Sequence, residues 1–371
     1  MKIAMIGHKR IPSREGGVEI VVEELATRMA ALGHDVTVYN RGGHNVSGKE
    51  NDGYAYQKYF EYKGVHVITV PTPQKKSLNA IVYAFLATLK ACIKPYDVIH
   101  FHAEGPCAMI PLAKLFRKRC VATIHGLDWQ RSKWGGFATK FLMFGEKMAA
   151  KHADAIIVLS QNVKDYFIDT YARNTFYIPN GITIPKREKA NLIMQKYGLQ
   201  GEDYILFLAR IVPEKGLHYL IEAYQQIETD KKLVIAGGSS HTDEYMERIQ
   251  TMVAKDNRII MTGFVQGQLL EELYSNCYVY VLPSDIEGMP ISLLEALSYG
   301  KRCLVSDIPE NTEVTGELAD IFRKGDSKDL QYHLKKILNP PDMLPKAGDI
   351  RARIRDKYDW DIVVQETMML Y

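Results

Sequence analysis

A chain of 371 residues with 46% hydrophobic and 25% charged side chains has the composition of a soluble globular protein and is too long for one ordinary core, so two domains are expected. The net charge of +3 hides an asymmetry: residues 1–185 carry 24 Lys and Arg against 15 Asp and Glu, whereas residues 186–371 carry 23 against 29. The halves therefore face different things, and no nucleic-acid partner is expected. Met1 to Gly7 hold only a short apolar run before His8 and Lys9, which is no signal-peptide core. The longest uncharged apolar segment, Ser77 to Leu89, is too short to span a bilayer. A cytoplasmic protein is predicted, and the scattered Cys92, Cys107, Cys120, Cys277 and Cys303 read as buried free thiols of a reducing compartment.

In chain order, a strand over Lys2 to Ile6 leads through Gly7 into the loop His8 to Gly17, which carries Lys9, Arg10, Arg14 and the pair Gly16-Gly17. A helix follows, with Val18, Val21, Val22, Leu25, Met29 and Leu32 on one face and Gly33 as its stop. The strand Asp35 to Tyr39 completes a β-α-β unit. Gly7 and Gly16 lie too far apart for a dinucleotide fingerprint, yet the glycine pair lets a phosphate approach the helix N-terminus closely. Beyond a loop at Gly42 to Gly53 expected to be mobile, a strand at Val65 to Val70 precedes the apolar helix Leu78 to Leu89, flanked by Lys75, Lys76, Lys90 and Lys94. Its apolar residues at 78, 81, 82, 85, 86 and 89 make it core-facing or surface-seeking. The strand Asp97 to Phe101 ends at His102 and Glu104, and the strand Val121 to Ile124 ends at His125-Gly126-Leu127-Asp128. Histidines at strand ends point to the ligand-binding edge of an open α/β sheet.

The turn Pro179-Asn180-Gly181 marks a domain boundary, and strand–helix alternation then starts again: strand Tyr204 to Ala209, helix Leu217 to Ile227, strand Leu233 to Ala236, helix Asp243 to Val253, strand Ile259 to Met261, helix Gln268 to Ser275 and strand Tyr278 to Leu282. Alternation in both halves predicts two Rossmann-like, doubly wound α/β domains facing one another. Arg210 stands at the end of the first strand of the second half, with Lys215-Gly216 leading into a helix. Two cations beside a helix N-terminus suit an oxyanion or a diphosphate. The stretch Asp285 to Gly300 places Glu287 in a loop, Pro290 at the first helical position and Glu295 inside the helix. Those carboxylates would lie on the order of 10 Å apart, a spacing suited to gripping two parts of one polar ligand. Backbone N–H groups around Met289 to Ser292 add a seat for an anion or for sugar hydroxyls.

Gly16-Gly17, His125, Arg210 with Lys215, Gly263-Phe264-Val265 and the paired Glu287 and Glu295 together resemble the retaining family 4 of GT-B glycosyltransferases, which act on nucleotide sugars. The resemblance runs over nearly the whole chain, to Tyr358-Asp359-Trp360. It implies an acceptor-binding domain over 1–183, a nucleotide-sugar-binding domain over 184–355 and a crossover helix over 356–371 that returns to the first domain. It also implies that Gly17, Arg210 and Lys215 bind the donor diphosphate, and that Glu287 with Gly288, Met289 and Pro290 holds the sugar hydroxyls. Glu295 would then take the ribose, Val265 the base, and His125 a place beside the donor sugar. His125, Arg210, Lys215 and Glu287 are the expected catalytic set; Lys9, Arg10, Arg14, His102 and Asp128 are the acceptor-side candidates. Gly126 departs from the family, many members of which carry an acidic residue there. The loop with Ile11-Pro12 is similar to that of rhamnosyltransferases of bacterial surface polysaccharides.

The implied reaction transfers a hexose or deoxyhexose from a UDP-, dTDP- or GDP-sugar, with retention and without a cofactor. Asp359-Trp360-Asp361 sits where helix-start acids are expected, not at a metal site. A nucleotide-sugar epimerase and a non-catalytic nucleotide-sugar-binding subunit are the readings from other classes. The excess positive charge of residues 1–185 predicts contact with an anionic membrane and a lipid-linked acceptor. It is joined by Lys114, Arg117, Lys118 and Arg119 beside Leu115-Phe116, and by Trp129-Gln130-Arg131 with Lys133-Trp134.

Overall fold

The computed structural model describes residues 1–42, 57–73, 76–130, 136–238, 243–339 and 347–371. The loop expected after Gly42, Lys75, and the Arg131, Lys133 and Trp134 group lie outside the described residues. Contacts divide the chain into two units, Met1–Gly181 with Trp360–Tyr371, and Ile182–Asp359.

In the first unit the chain runs β1 (Lys2–Ile6), α1 (Gly17–Ala31), β2 (Asp35–Arg41), β3 (Tyr59–Tyr62), β4 (Val65–Val70), α2 (Lys76–Cys92), β5 (Val98–His102), α3 (Glu104–Cys107), α4 (Ile110–Leu115), β6 (Arg119–Ile124), α5 (Phe137–His152), β7 (Ala155–Val158), α6 (Gln161–Tyr171) and β8 (Phe176–Tyr177). The sheet order is β3-β4-β2-β1-β5-β6-β7-β8, parallel except for β3, which pairs antiparallel with β4. Strand order reverses between β1 and β5, which pair side by side, so the switch point of this sheet lies at Gly7 and His102.

The helices show which residues chose the core. In α1, Val21, Val22, Leu25, Ala26 and Met29 are buried, the middle of the stripe expected from a 3.6-residue period, while Val18 is half-buried and Leu32, at the helix end, is exposed. The helix α2 behaves differently. Its buried face is made of Tyr83, Ala84, Ala87, Thr88 and Ala91, which let it lie close to the sheet. The larger side chains at 78, 81, 82, 85, 86 and 89 face outward or remain half-buried. The stripe is therefore not the buried face of α2, although Leu86 still packs against the core. The helix α5 comes close to α3 because Gly145 has no side chain: a Cβ there would stand 2.0 Å from the Glu104 carbonyl oxygen.

The second unit runs α7 (Leu192–Tyr197), β9 (Tyr204–Leu208), α8 (Leu217–Gln225), β10 (Lys232–Ala236), α9 (Asp243–Val253), β11 (Ile259–Gly263), α10 (Gln268–Asn276), β12 (Val279–Leu282), α11 (Ile291–Ser298), β13 (Arg302–Ser306), α12 (Pro309–Thr315), β14 (Asp320–Phe322), α13 (Ser327–Leu338) and α14 (Ala347–Lys357). Its six strands are ordered β11-β10-β9-β12-β13-β14, and every pairing between them is parallel. The central strands β9 and β12 are apolar and buried on both faces, as a sheet covered by helices requires. Strand order reverses between β9 and β12, and ligands of such sheets bind beyond the carboxyl ends of the strands at that point.

The last helix, α15 (Trp360–Met368), belongs to the first unit. A Cβ on Gly181 would stand 2.5 Å from the Trp360 ring, so glycine is what allows that ring to pack there. Asp361, in the first turn of α15, pairs with Arg28 at 2.7 Å. Arg119 donates twice to the Leu370 carbonyl, and the Tyr371 hydroxyl meets His100 Nδ1 at 2.6 Å.

Replacing a mid-helix glycine by alanine ordinarily helps a helix by about 1 kcal/mol. For Gly145→Ala the clash with Glu104 reverses the sign, and a loss of about 1–3 kcal/mol is expected. Gly33→Ala meets nothing within 4 Å and suffers only from a φ of +87°, about 1 kcal/mol. Denaturant unfolding of the two variants checks the order; a Gly145→Ala protein as stable as the wild type would refute the tight α3–α5 contact.

Candidate functional site

In the second unit the site is built where β9 and β12 end. Beyond β9 the chain passes half-buried Arg210 and makes a short 3-10 turn over Pro213–Lys215. It then enters α8 at Gly216, whose φ is +64°. A Cβ on Gly216 would stand 1.9 Å from the Pro283 carbonyl oxygen, so only glycine lets the β9 loop lie against the end of β12. The loops are laced together by a bond from the Asp285 N–H to the Glu214 carbonyl at 2.9 Å. This contact delivers Lys215 Nζ onto Glu287 Oε1 in a short ion pair, and Ser284 Oγ donates to the same carboxylate oxygen at 2.6 Å. Both side chains are mostly buried, 15% exposed for Lys215 and 6% for Glu287.

Gly288, Met289 and Pro290 form the buried remainder of the β12 loop. Pro290 is not the first helical residue that the sequence predicts: it is the N-cap of α11, with φ −77° and ψ 97°, and its carbonyl accepts from the N–H groups of Leu293 and Leu294. The one-residue shift leaves proline where its missing N–H costs nothing. Glu295 lies half-buried one turn into α11, its Oε2 accepting from the Tyr274 hydroxyl at 2.9 Å. The Tyr280 hydroxyl donates to Ser292 Oγ at 2.8 Å. Val265 is buried in the loop after β11. Gly237, whose Cβ would stand 1.9 Å from the Ala209 carbonyl oxygen, stitches that side of the sheet to the root of Arg210.

In the first unit Gly17 opens α1, and Glu19, in the first turn, already occupies the glycine-pair loop: its Oε1 accepts from the Lys9 N–H at 2.9 Å. Asn40 at the end of β2 holds the preceding loop, bonding His8 Nε2 and both the N–H and the carbonyl of Ile11. Lys9 and Arg10 are half-buried and Arg14 is exposed. His125 and His102 meet at the ends of β6 and β5, His125 Nε2 to His102 Nδ1 at 3.1 Å. His102 has no exposed surface and is stacked on His100 at 4.2 Å between ring centroids. As an acceptor-side candidate it is therefore placed too deep for contact, and it serves instead as the support of His125. Its Nε2 is buried without a hydrogen-bond partner among the described residues. An orphaned N–H costs more than an orphaned lone pair, which puts the proton on Nδ1, donated to His125. Asp128 is half-buried and its N–H donates to Glu104 Oε1 at 2.7 Å. Burial, then the Asp128 charge, pushes the Glu104 carboxyl well above the usual range.

Several supports were not legible in the sequence. Ser284, Tyr274 and Gly216 act through contacts across 3, 21 and 67 positions, the last figure being the separation of Gly216 from Pro283, and His100 with Tyr371 across 271. Only Ser284, adjacent to the Glu287 loop, carried a local signal.

The fold, two parallel-sheet Rossmann-like units, is that of the GT-B glycosyltransferases: sucrose-phosphate synthase of Thermosynechococcus elongatus matches with a TM-score of 0.85 at 22% identity, covering 100% of this chain and 98% of that one. Anabaena HepE in complex with UDP matches at 0.77 and 18%, covering 100% and 99%. The model of Glycosyltransferase Family 4 matches residues 15–184 and that of Glycosyl transferases group 1 matches residues 190–355, so the chain belongs to these glycosyltransferases. The O-antigen chain mannosyltransferase RfbU of Salmonella typhimurium is 26% identical over 83% of this chain and 85% of its own length.

The buried histidines carry a pH prediction. Burial depresses His8 to about 4 and His100 to about 3, and holds His102 well below its ordinary value. Their unfolded values are near 6.5. The unfolded chain thus binds protons that the native one refuses, so this stability is fully present above about pH 6.5 and is lost as pH falls toward 4. Each group contributes a slope of about 1.4 kcal/mol per pH unit in that window. Urea unfolding at pH 7 and pH 5 measures it, and His100→Asn should lower the slope by one proton. Equal stability at both pH values would contradict neutral burial.

Proposed function

We propose that this glycosyltransferase is retaining and metal-independent, moving a hexose or deoxyhexose from a UDP-, dTDP- or GDP-sugar to a lipid-linked saccharide. The setting is bacterial cell-surface polysaccharide synthesis at the cytoplasmic face of the membrane. The observation that carries the reading is the junction of the β9 and β12 loops. There Gly216 beneath the Pro283 carbonyl brings the Lys215–Glu287 pair to the switch point, beside the starts of α8 and α11. Support for the donor class comes from HepE, solved with UDP, and for the polysaccharide setting from RfbU, an O-antigen chain mannosyltransferase.

In this mechanism the bond between the anomeric carbon and the diphosphate oxygen breaks while the acceptor oxygen bonds to the same face of that carbon. The acceptor proton passes to the departing diphosphate oxygen, which explains retention without a protein nucleophile. Arg210, Lys215 and the helix N-termini stabilise the diphosphate as negative charge develops on it. Glu287 takes the sugar hydroxyls while holding the Lys215 ammonium in place, and Glu295, anchored by Tyr274, takes the ribose. Val265 meets the base through its backbone, Gly17 the diphosphate, and His125 the donor sugar in the tautomer that His102 imposes. Lys9, Arg10, Arg14 and Asp128 remain the acceptor-side groups.

Arg210→Ala or Lys215→Ala should lower turnover by on the order of 10²–10³. Because Lys215 and Glu287 form a buried pair, removing either takes away the charge that the other is paired with, and truncation carries a penalty of about 3–5 kcal/mol. The double variant should therefore cost far less than the sum of the singles; additive losses would separate the two roles. Glu295→Gln should weaken binding of the bare nucleoside diphosphate more than Glu287→Gln does, by calorimetry.

Nucleotide release measured with and without an oligosaccharide-lipid acceptor tests the reaction class. Release that requires acceptor and persists in excess chelator is expected. Sugar isomerisation without acceptor would make the protein an epimerase, no turnover with tight donor binding a binding subunit, and loss of activity restored by a divalent ion a metal-dependent enzyme.

A further inference from the structure

Exposed large hydrophobic side chains are unevenly distributed among the described residues. The second unit shows Met194 and Tyr332, whereas the stretch from α2 to α5 shows Leu78, Phe85, Ile93, Leu115, Phe116, Phe137, Met143 and Phe144. The topology groups these on one side of the first unit. Helices α3 and α4 each pack against both α2 and α5, so α2, α3–α4 and α5 form one layer over a single face of the sheet.

The charge on this layer has one sign. Residues 76–152 contain 12 Lys and Arg and four acidic residues, and two of those four, Glu104 and Glu146, are fully buried. Glu146 points inward, accepting from Trp129, Tyr166 and Tyr171. Along α5 the exposed positions 137, 140, 143, 144, 147 and 151 read Phe, Lys, Met, Phe, Lys, Lys. In α2 the small residues take the core, and Leu78, Phe85 and Lys90 stand outward with no acidic residue in the helix. The pattern stops at α6, where Asp165 and Asp169 are exposed. Basic side chains interleaved with exposed aromatic and aliphatic ones on helices lying flat suit the headgroup region of an anionic bilayer.

We propose that the outer face of α2, α4 and α5 docks the first unit flat on an anionic membrane. Phe137, Phe144, Leu78 and Phe85 enter the headgroup boundary, and Lys90, Lys140, Lys147 and Lys151 pair with lipid phosphates. The basic run 114–119 is less suited to that role than its charge indicates. Lys114 is tied to Asp154, Lys118 to the carbonyls of Lys94 and Tyr96, and Arg119 to the Leu370 carbonyl. No described helix is long and apolar enough to cross a membrane, so docking is peripheral and reversible. The proposal does not depend on the donor or acceptor assigned above.

The test is cosedimentation of the full chain with vesicles of phosphatidylcholine alone or with 30% phosphatidylglycerol. Binding should require the anionic lipid, fall with salt, and weaken roughly fivefold for each lysine removed in Lys140→Ser, Lys147→Ser and Lys151→Ser. Changing Lys335 and Lys336 of the second unit to Ser should leave it unchanged. Because all five native cysteines are buried, a polarity-sensitive fluorophore on Phe144→Cys reports insertion directly. It should shift to the blue on anionic vesicles, and the same label on Met194→Cys should not. Equal recovery in the supernatant with both vesicle types at low salt, or equal shifts at the two labels, would overturn the proposal. Acceptor-dependent nucleotide release would still stand in that case, so the two readings fail separately.

Discussion

The contact on which the second unit's chemistry depends is the one between Gly216 and the Pro283 carbonyl. It is a steric permission rather than an attraction: a side chain at 216 would push the β9 loop away from β12 and separate Lys215 from Glu287. Once the loops touch, a buried ammonium and a buried carboxylate neutralise one another, with Ser284 Oγ as a further donor. A buried pair of this kind is poor evidence for stability. What it provides is orientation, because each charge is held where the other fixes it.

The first unit solves a related problem with neutral groups. At its switch point Gly7 has a φ of +131°, and a Cβ there would stand 2.0 Å from the His102 carbonyl oxygen. Behind that approach His100 and His102, whose charge is suppressed by burial, form a column that ends on His125. Hydrogen bonds to Thr123 and Tyr371 fix its base. Both units therefore place a glycine where the strand order reverses, and both use the resulting closeness to orient a side chain at the sheet edge.

Most of the strands and long helices could be read from alternation of short apolar runs with amphipathic stretches, because those patterns record burial directly. The central strands β1, β4, β5, β6, β9 and β12 fall within about two residues of their predicted bounds for that reason. Tyr59–Tyr62, the short helices around 104–115 and the elements between Gly300 and the last helix carry weaker periodicity and have no counterpart among the expected elements. The direction of α2 was ambiguous because the larger residues look like the core-seeking stripe, while alanine is what a close helix–sheet contact demands. For the candidate site, Arg210, Lys215 and Glu287 were legible through their positions after strands and before helices, and Glu295 through its place in the helix that follows Glu287. That Lys215 and Glu287 are one unit, and that His102 is a support, depend on contacts between distant segments that no local pattern encodes.

Residues 182–359 form an uninterrupted insert whose ends are adjacent, Ile182 pairing with Asp359, while the segments on either side of it belong to one unit. Synthesis runs from the N-terminus, so the unit begun first is finished second. Until Trp360–Tyr371 emerge, Gly181 lacks the ring that covers it, and His100 and Arg119 lack the Tyr371 hydroxyl and the Leu370 carbonyl. The described strands and helices of the insert all precede Trp360. The half bearing Arg210 and Lys215 thus has its whole sequence in place before its elder neighbour receives its last helix.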